Sequence, residues 1–205
     1  MGVPAPNMKP FARPEPAGTR RREEEKPMAR YLPVQKDAAT STVSELYNQI
    51  ERDGDGTIPN LFKTLAPSAS FLNALWGAYR GLVQGPCELN ERARALALLK
   101  AAKVHKDNYG TAQFTELAKR QGVTEDQVKA IDAHDRSELF TDAEKMLMSH
   151  AEMVAKDPGL ISGDFFKFLK NHYTQQQVTE LTALAAFATL MHRFCKALDV
   201  DVDKR

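Results

Sequence analysis

The segment Thr174–Val200, TQQQVTELTALAAFATLMHRFCKALDV, predicts the last and most apolar helix of the chain. Within it, Leu181–Met191 is the longest predominantly apolar run in the sequence. A helix that crosses a bilayer needs about 18 such residues, and this run is shorter and is followed at once by His192 and Arg193. We therefore expect this helix to belong to a protein core, and we expect no membrane association.

The chain upstream of this segment has the same helical spacing of apolar residues, and alternation with period two is almost absent. Thr141 with Glu144 three residues later fits a capping box, and Gly122 is well placed to end a helix. The pattern predicts an all-α protein of about eight helices. The predicted helices cover residues 41–52, 68–83, 91–105, 107–120, 123–132, 141–157, 162–173 and 174–200.

One predicted helix, 68–83, has a broad apolar face. Phe71, Leu72, Leu75, Trp76 and other apolar residues fall on one side of it at helical spacing. Such a face is typical of a helix that packs against a neighbour.

The first 28 residues differ in composition from the rest of the chain. Residues 1–30 hold six of the eleven prolines and the charged run RRREEEK, with few large apolar side chains. Such a segment cannot bury enough apolar surface to offset the entropy lost on ordering. We predict a disordered tail over residues 1–28 and one helical domain over residues 29–205. No secretory signal is recognisable, so a cytoplasmic location is expected.

The composition argues against several classes of function. The net charge of +1, with both signs interspersed, is not that of a nucleic-acid binder. Cys87 and Cys195 are far apart, and the five histidines show no spacing typical of helix-borne metal ligands. The segment Glu51–Ile58 resembles part of a calcium loop, but Phe62 stands where a bidentate glutamate is needed. We expect no metal and no cofactor.

The segment Lys106–Phe114, KDNYGTAQF, lies between two predicted helices and reads as a helix start. Asp107 is a suitable N-cap that would accept hydrogen bonds from the amides of Tyr109 or Gly110. A carboxylate at this place also gains from the positive end of the helix dipole.

Two longer stretches, residues 56–102 and 180–203, resemble the alkylhydroperoxidase D (AhpD)/carboxymuconolactone decarboxylase superfamily. The first contains PNLF and a later arginine-bearing helix, and the second is similar to the closing helix of that family. The resemblance runs through residues 29–202 in the family's order. It implies an AhpD-like helical domain and a homo-oligomer, usually a trimer or a hexamer.

The resemblance also places the family's redox site in KDNYGTAQF. Redox-active members carry a glutamate, a C-x-x-C pair at a helix start and a histidine. In this sequence those positions fall on Ala95, Asp107, Gly110 and Phe114, so none of the four groups is kept. Dithiol chemistry is therefore not expected.

Two residues of the family pattern, Arg94 and Tyr109, are retained, and other polar residues lie near the same positions in the sequence. Histidine can act as general acid or base near neutral pH, and arginine can hold a substrate carboxylate through two hydrogen bonds. The catalytic candidates are His105, Asp107, Tyr109 and His192, and the substrate-binding candidates are Arg94, Lys106, Gln113 and Arg193.

The best hypothesis from these residues is a non-redox enzyme of decarboxylase, lyase or isomerase type that acts on a small organic acid or ring compound. One alternative is a non-catalytic oligomeric or ligand-binding protein with the same fold. Another is residual peroxidase-like antioxidant activity.

Overall fold

The computed structural model describes residues 30–204 of the chain, and this range contains nine α-helices. No strand occurs in this range, which confirms the all-α prediction. The predicted tail lies outside the described residues, and its boundary stays a prediction. The helices are α1 Ser41–Asp53, α2 Asn60–Leu65, α3 Ala69–Tyr79, α4 Glu91–His105, α5 Asn108–Arg120, α6 Glu125–Ala130, α7 Asp142–Lys156, α8 Gly163–Lys170 and α9 Gln175–Leu198.

Local sequence signals explain where several helices begin and end. Thr141 and Glu144 form the predicted capping box at the start of α7, and Thr174 forms another at the start of α9. After α5, Gly122 adopts a left-handed conformation with φ of 76°, a conformation that glycine tolerates best. The predicted signals at Thr141 and Gly122 are therefore confirmed.

Helix α2 is absent from the sequence prediction because it is short and begins without a side-chain cap, whereas the equally short α6 has the cap Thr124. Pro59 precedes it and Pro67 follows it closely, so the segment is too short to display a helical period. Its side chains Leu61, Phe62 and Leu65 are nevertheless buried. The helix brings the backbone of Asn60 and Leu61 close to α5.

Phe71 differs from Leu72 and Trp76 on the predicted apolar face of residues 68–83. This side chain is 68% exposed, whereas Leu72 and Trp76 are buried. Successive residues of a helix are about 100° apart, so Phe71 and Leu72 point in different directions. The side of α3 that carries Leu72 packs against the core.

Helix α4 is the central element of the fold and packs against α5, α7 and α9. Its residues from Ala93 to Ala102 are all buried, because its many alanines allow neighbours to approach on every side. Two of these buried residues are charged. Lys100 pairs with Glu152 of α7 at 2.8 Å, and Arg94 donates to the carbonyls of Val83 and Gly85.

The chain reverses after α9 at Asp199, which has a left-handed φ of 54°. The terminal segment, residues 200–204, then returns to α2, where Asn60 Nδ2 donates to the carbonyl of Asp201 at 3.0 Å. Within residues 30–204, no helix is long and apolar enough to span a bilayer.

Candidate functional site

The start of α5 and the last third of α9 meet around Asp107, which is 3% exposed. Asp107 Oδ1 accepts from the amide of Tyr109 at 3.2 Å and Oδ2 from the amide of Gly110 at 2.9 Å, as the N-cap prediction required. Asp107 Oδ2 lies 2.8 Å from Nδ1 of His192, which is 1% exposed. Because a carboxylate only accepts, the proton of this bond belongs to Nδ1.

Gly110 provides the space that this contact needs. A Cβ atom at Gly110 would lie 2.2 Å from both Cε1 and Nδ1 of His192 and 2.7 Å from Oδ2 of Asp107. No side chain fits there without moving the imidazole. Sequence reasoning treated Gly110 as a missing cysteine and as an amide donor to Asp107, and did not foresee its contact with His192. A glycine inside a helix start was the available signal, but its partner on α9 was not predictable from spacing.

His192 lines a small cavity of about 40 Å³, which is room for roughly three waters. Most of the lining is aromatic or apolar and includes Phe62, Tyr79, Phe114 and Met191. The ring of Phe114 meets His192 edge to face, with centroids 5.5 Å apart. Among the described residues, Nε2 of His192 is buried and has no hydrogen-bond partner. The site therefore holds an oriented imidazole with one free ring nitrogen.

A second imidazole lies beside the first. The ring centroids of His105 and His192 are 6.1 Å apart, and Nε2 of His105 is also buried without a partner in the described part of the chain. Burial lowers the pKa of His105, and the neighbouring His192 and Arg193 lower it further. His105 is therefore neutral near pH 7.

Two other predicted residues, Tyr109 and Gln113, also line the cavity. The Tyr109 hydroxyl donates to Asp203 Oδ2 at 3.1 Å, and Gln113 Nε2 donates to the same oxygen. Burial raises the pKa of Tyr109 well above its ordinary value, with a contribution from Asp203. Sequence reasoning missed Asp203, because no pattern indicates that the terminal segment folds back onto α5.

The remaining predicted residues do not line this cavity. Lys106 and Arg193 are exposed to solvent, and Lys106 adopts a left-handed φ of 50° in the turn between α4 and α5. Arg94 is buried, but its guanidinium holds carbonyls of the segment before α4. The role of these three residues in substrate binding stays a prediction.

The two cysteines lie in separate places. Cys195 lines the cavity, and burial raises the pKa of its thiol far above the ordinary value. Cys87 donates to Glu180 Oε2 at 2.9 Å. Because Glu180 and Cys195 are both on α9, their positions are about 22 Å apart along the helix axis. Disulfide formation needs Cα atoms within roughly 7 Å, so these thiols cannot pair within one chain.

Comparison with known proteins identifies the fold. The structure superposes on an alkylhydroperoxidase AhpD core, a peroxidase-related protein of Ralstonia eutropha JMP134, with a TM-score of 0.77 over 87% of this chain and 94% of that chain. The sequence identity is 15%. The chain has an AhpD-like fold. The superfamily resemblance seen in the sequence is thus confirmed at the level of the fold.

Other AhpD-like structures are similar as well. The debrominase Bmp8, solved alone and with 2,3,4-tribromopyrrole, matches with a TM-score of 0.69 and 20% identity over 83% of this chain and 90% of its own. By sequence, 85 residues are 32% identical to the uncharacterized protein YnjA of Escherichia coli K12, which is 42% of this chain and 46% of that protein. The match thus spans about half of the length of YnjA. No family model matches the sequence.

Proposed function

We propose that this AhpD-like protein is a non-redox enzyme that transfers a proton on a small organic acid or ring compound, as a decarboxylase, lyase or isomerase. The observation that carries the proposal is the orientation of His192. Its Nδ1 is bound to the buried carboxylate of Asp107, and its Nε2 is unpaired in a cavity of aromatic side chains.

The chemistry of the dyad follows from its hydrogen bonds. Asp107 keeps the proton on Nδ1, so neutral His192 has its lone pair on Nε2. Nε2 can take a proton from a substrate carbon while the C–H electron pair moves into an adjacent carbonyl or ring. In an isomerase the imidazolium returns this proton to a second carbon, and in a lyase it protonates the leaving group. In a decarboxylase, His192 starts protonated and supplies the proton that replaces CO₂.

The buried carboxylate would favour the charged intermediate of this cycle. Asp107 stabilises the imidazolium and fixes the ring, as an oriented acid–base group requires. The lining of the cavity is mostly apolar, and the similar debrominase Bmp8 has been solved with a substituted pyrrole. The peroxidase alternative has less support, because the buried Cys195 thiol has a raised pKa and no second thiol in reach.

The proposal predicts His192-dependent exchange of substrate hydrogen with solvent. A panel of small unsaturated and aromatic acids is incubated with the protein in D₂O, and deuterium incorporation is followed by NMR. We expect at least one acid to exchange, and His192→Gln to slow that exchange by about 100-fold or more. His172→Gln, which changes an exposed histidine, is the matched control and should exchange at the wild-type rate.

The thiols are tested in the same assay. A Cys87→Ala, Cys195→Ala double variant should retain exchange. Exchange that survives His192→Gln, or that disappears with the two cysteines, would assign the chemistry to other groups and overturn the proposal.

We also propose that the chain forms a homo-oligomer through an apolar groove between α3 and α9. The groove is lined by Phe71, Leu75, Phe187, Leu190 and Phe194, with very little polar surface. Leu190 is 52% exposed, and large side chains of this kind are usually covered by a partner when they lie together. A second copy of the chain is the occupant implied by the superfamily resemblance, as a trimer or a hexamer.

Oligomer formation predicts a mass that depends on this groove. Light scattering during size-exclusion chromatography should give a multiple of the 22.9 kDa chain mass for the wild type, and the monomer mass for Leu190→Glu. Leu160→Glu introduces the same charge at a side chain that is 58% exposed elsewhere, and should not change the mass. A monomeric wild type would refute the proposal.

A further inference from the structure

Three hydrogen-bond donors, one at the start of α2 and two on α5, converge on the carboxylate of Asp203. The amide of Asn60 donates to Oδ1 at 2.6 Å, and the Tyr109 hydroxyl and Gln113 Nε2 both donate to Oδ2. Tyr109 is itself fixed, because its oxygen accepts from the amide of Leu61 at 3.4 Å. Together these groups form a carboxylate cradle, and we use that name for Asn60 N, Tyr109 Oη and Gln113 Nε2.

The carboxylate cradle borders the His192 cavity. Tyr109 and Gln113 line the cavity on one side and hold Asp203 on the other. Asp203 itself lines a wider cleft that shares Pro59 and Gln113 with the cavity. A molecule whose carboxylate took the place of Asp203 would thus have its remaining atoms in a cleft that borders the His192 cavity.

The interactions that hold Asp203 in place would permit another carboxylate to displace it. It makes no ion pair within residues 30–204, and burial raises the pKa of its carboxyl. On either side of it, Val202 and Lys204 are exposed. Its three hydrogen bonds come from neutral donors, Lys63 adds a favourable charge interaction, and the carboxylate of another molecule could form the same contacts.

We propose that the carboxylate cradle is a binding site for the acid group of a small carboxylic acid, and that Asp203 occupies this site until the ligand displaces it. The inference deepens the proposed function, on which it rests for the identity of the ligand as substrate. It names the carboxylate as the group recognised, and it places the rest of the substrate toward His192.

The proposal has a quantitative consequence for affinity. A carboxylate on the same chain competes at an effective concentration in the millimolar range, as tethered ligands do. The wild type should therefore bind free carboxylates weakly. Removal of the Asp203 side chain should remove the competitor and leave the three donors free.

The experiment measures binding of benzoate by NMR titration, with benzamide as a ring of the same size without the charge. We expect Asp203→Ala to bind benzoate about 10-fold more tightly than the wild type, with no such gain for benzamide. Asp201→Ala, which removes an exposed carboxylate of the same segment, is the matched control and should bind like the wild type. Adding Gln113→Ala to Asp203→Ala should reverse the gain.

Two controls distinguish the effect on binding from effects on folding and on catalysis. Thermal melting confirms that each variant is folded. If Asp203→Ala is not folded, Asp203→Ser replaces it in the assay, because the serine hydroxyl is too short to occupy the three donors. An Asp203→Ala, His192→Gln variant should also bind benzoate more tightly than the wild type, because binding does not need the catalytic base His192. Folded Asp203 variants that bind benzoate no better than the wild type would overturn the cradle, whereas absent deuterium exchange would overturn only the proposed chemistry.

Discussion

Replacing Gly110 by alanine is expected to lower the free energy of unfolding by about 3 kcal/mol, although alanine is ordinarily the better helix former by about 1 kcal/mol. The new methyl group would occupy the space of the His192 ring, at 2.2 Å from two of its atoms. Since His192 and Asp107 are both buried, the ring cannot move aside without breaking a charge-assisted hydrogen bond. The loss of stability should thus be accompanied by loss of the dyad.

Chemical denaturation measures this effect, with Gly77→Ala as the control. Gly77 is also inside a helix, but a Cβ atom there meets nothing within 4 Å, so this change should stabilise slightly. A Gly110→Ala, His192→Ala double variant should recover only part of the loss, because the clash with the ring is removed but the 2.7 Å contact with Asp107 Oδ2 remains. Equal stability of the two single variants would show that the ring is not confined as described.

Replacing Glu152 alone by leucine is expected to cost about 3 kcal/mol, the second largest effect we predict. Lys100 is 3% exposed and would lose its partner on α7, keeping only the carbonyl of Ile131 at 3.4 Å. A buried ammonium without a counter-charge is costly. A Lys100→Met, Glu152→Leu double variant should be close to the wild type, because apolar residues of similar volume commonly replace a buried ion pair without loss.

The same pair predicts a pH dependence with a defined sign. Burial of Glu152 opposes ionisation, but hydrogen bonds from Lys100 and Lys156 outweigh it and lower the pKa below the ordinary 4.5. A lowered folded-state pKa contributes stability above the unfolded-state pKa, and that contribution is lost as the pH falls through the folded value. Below about pH 4.5 the wild type should therefore lose stability faster than the double variant.

Denaturation midpoints of both proteins between about pH 3 and 7 test this sign. Asp126→Asn, which removes an exposed partner of Lys129, should change the midpoint little at any pH. A wild type and a double variant with parallel pH profiles would contradict the role of Glu152.

The helices could be predicted from the sequence because their causes are local. Caps such as Thr141 and the periodic apolar residues act within a few positions of the chain, and so does Asp107 at the start of α5. The superfamily resemblance added the location of the site. Helix α2 was not predicted, since it is short and, unlike α6, begins without a side-chain cap.

The contacts that make the site depend on residues distant in the sequence. Spacing puts His192 on an apolar helix but does not tell which neighbour it faces, and only the fold brings it to Asp107 and Gly110. The position of Asp203 is even harder to predict, because it depends on the reversal of the chain at Asp199. The sequence likewise did not show that the buried Arg94 donates its hydrogen bonds to backbone carbonyls and does not line the cavity.

The return of the terminal segment to α2 and α5 affects the entropy of ligand binding. An ordered backbone residue gives up about 1–2 kcal/mol of conformational free energy, so residues held in place through Asp203 regain such amounts when its carboxylate is displaced. The incoming acid loses its own freedom, while residues 200–204 recover some. This recovered entropy would offset part of the cost of ligand entry, and the mobility of Lys204 would report which of the two carboxylates is bound.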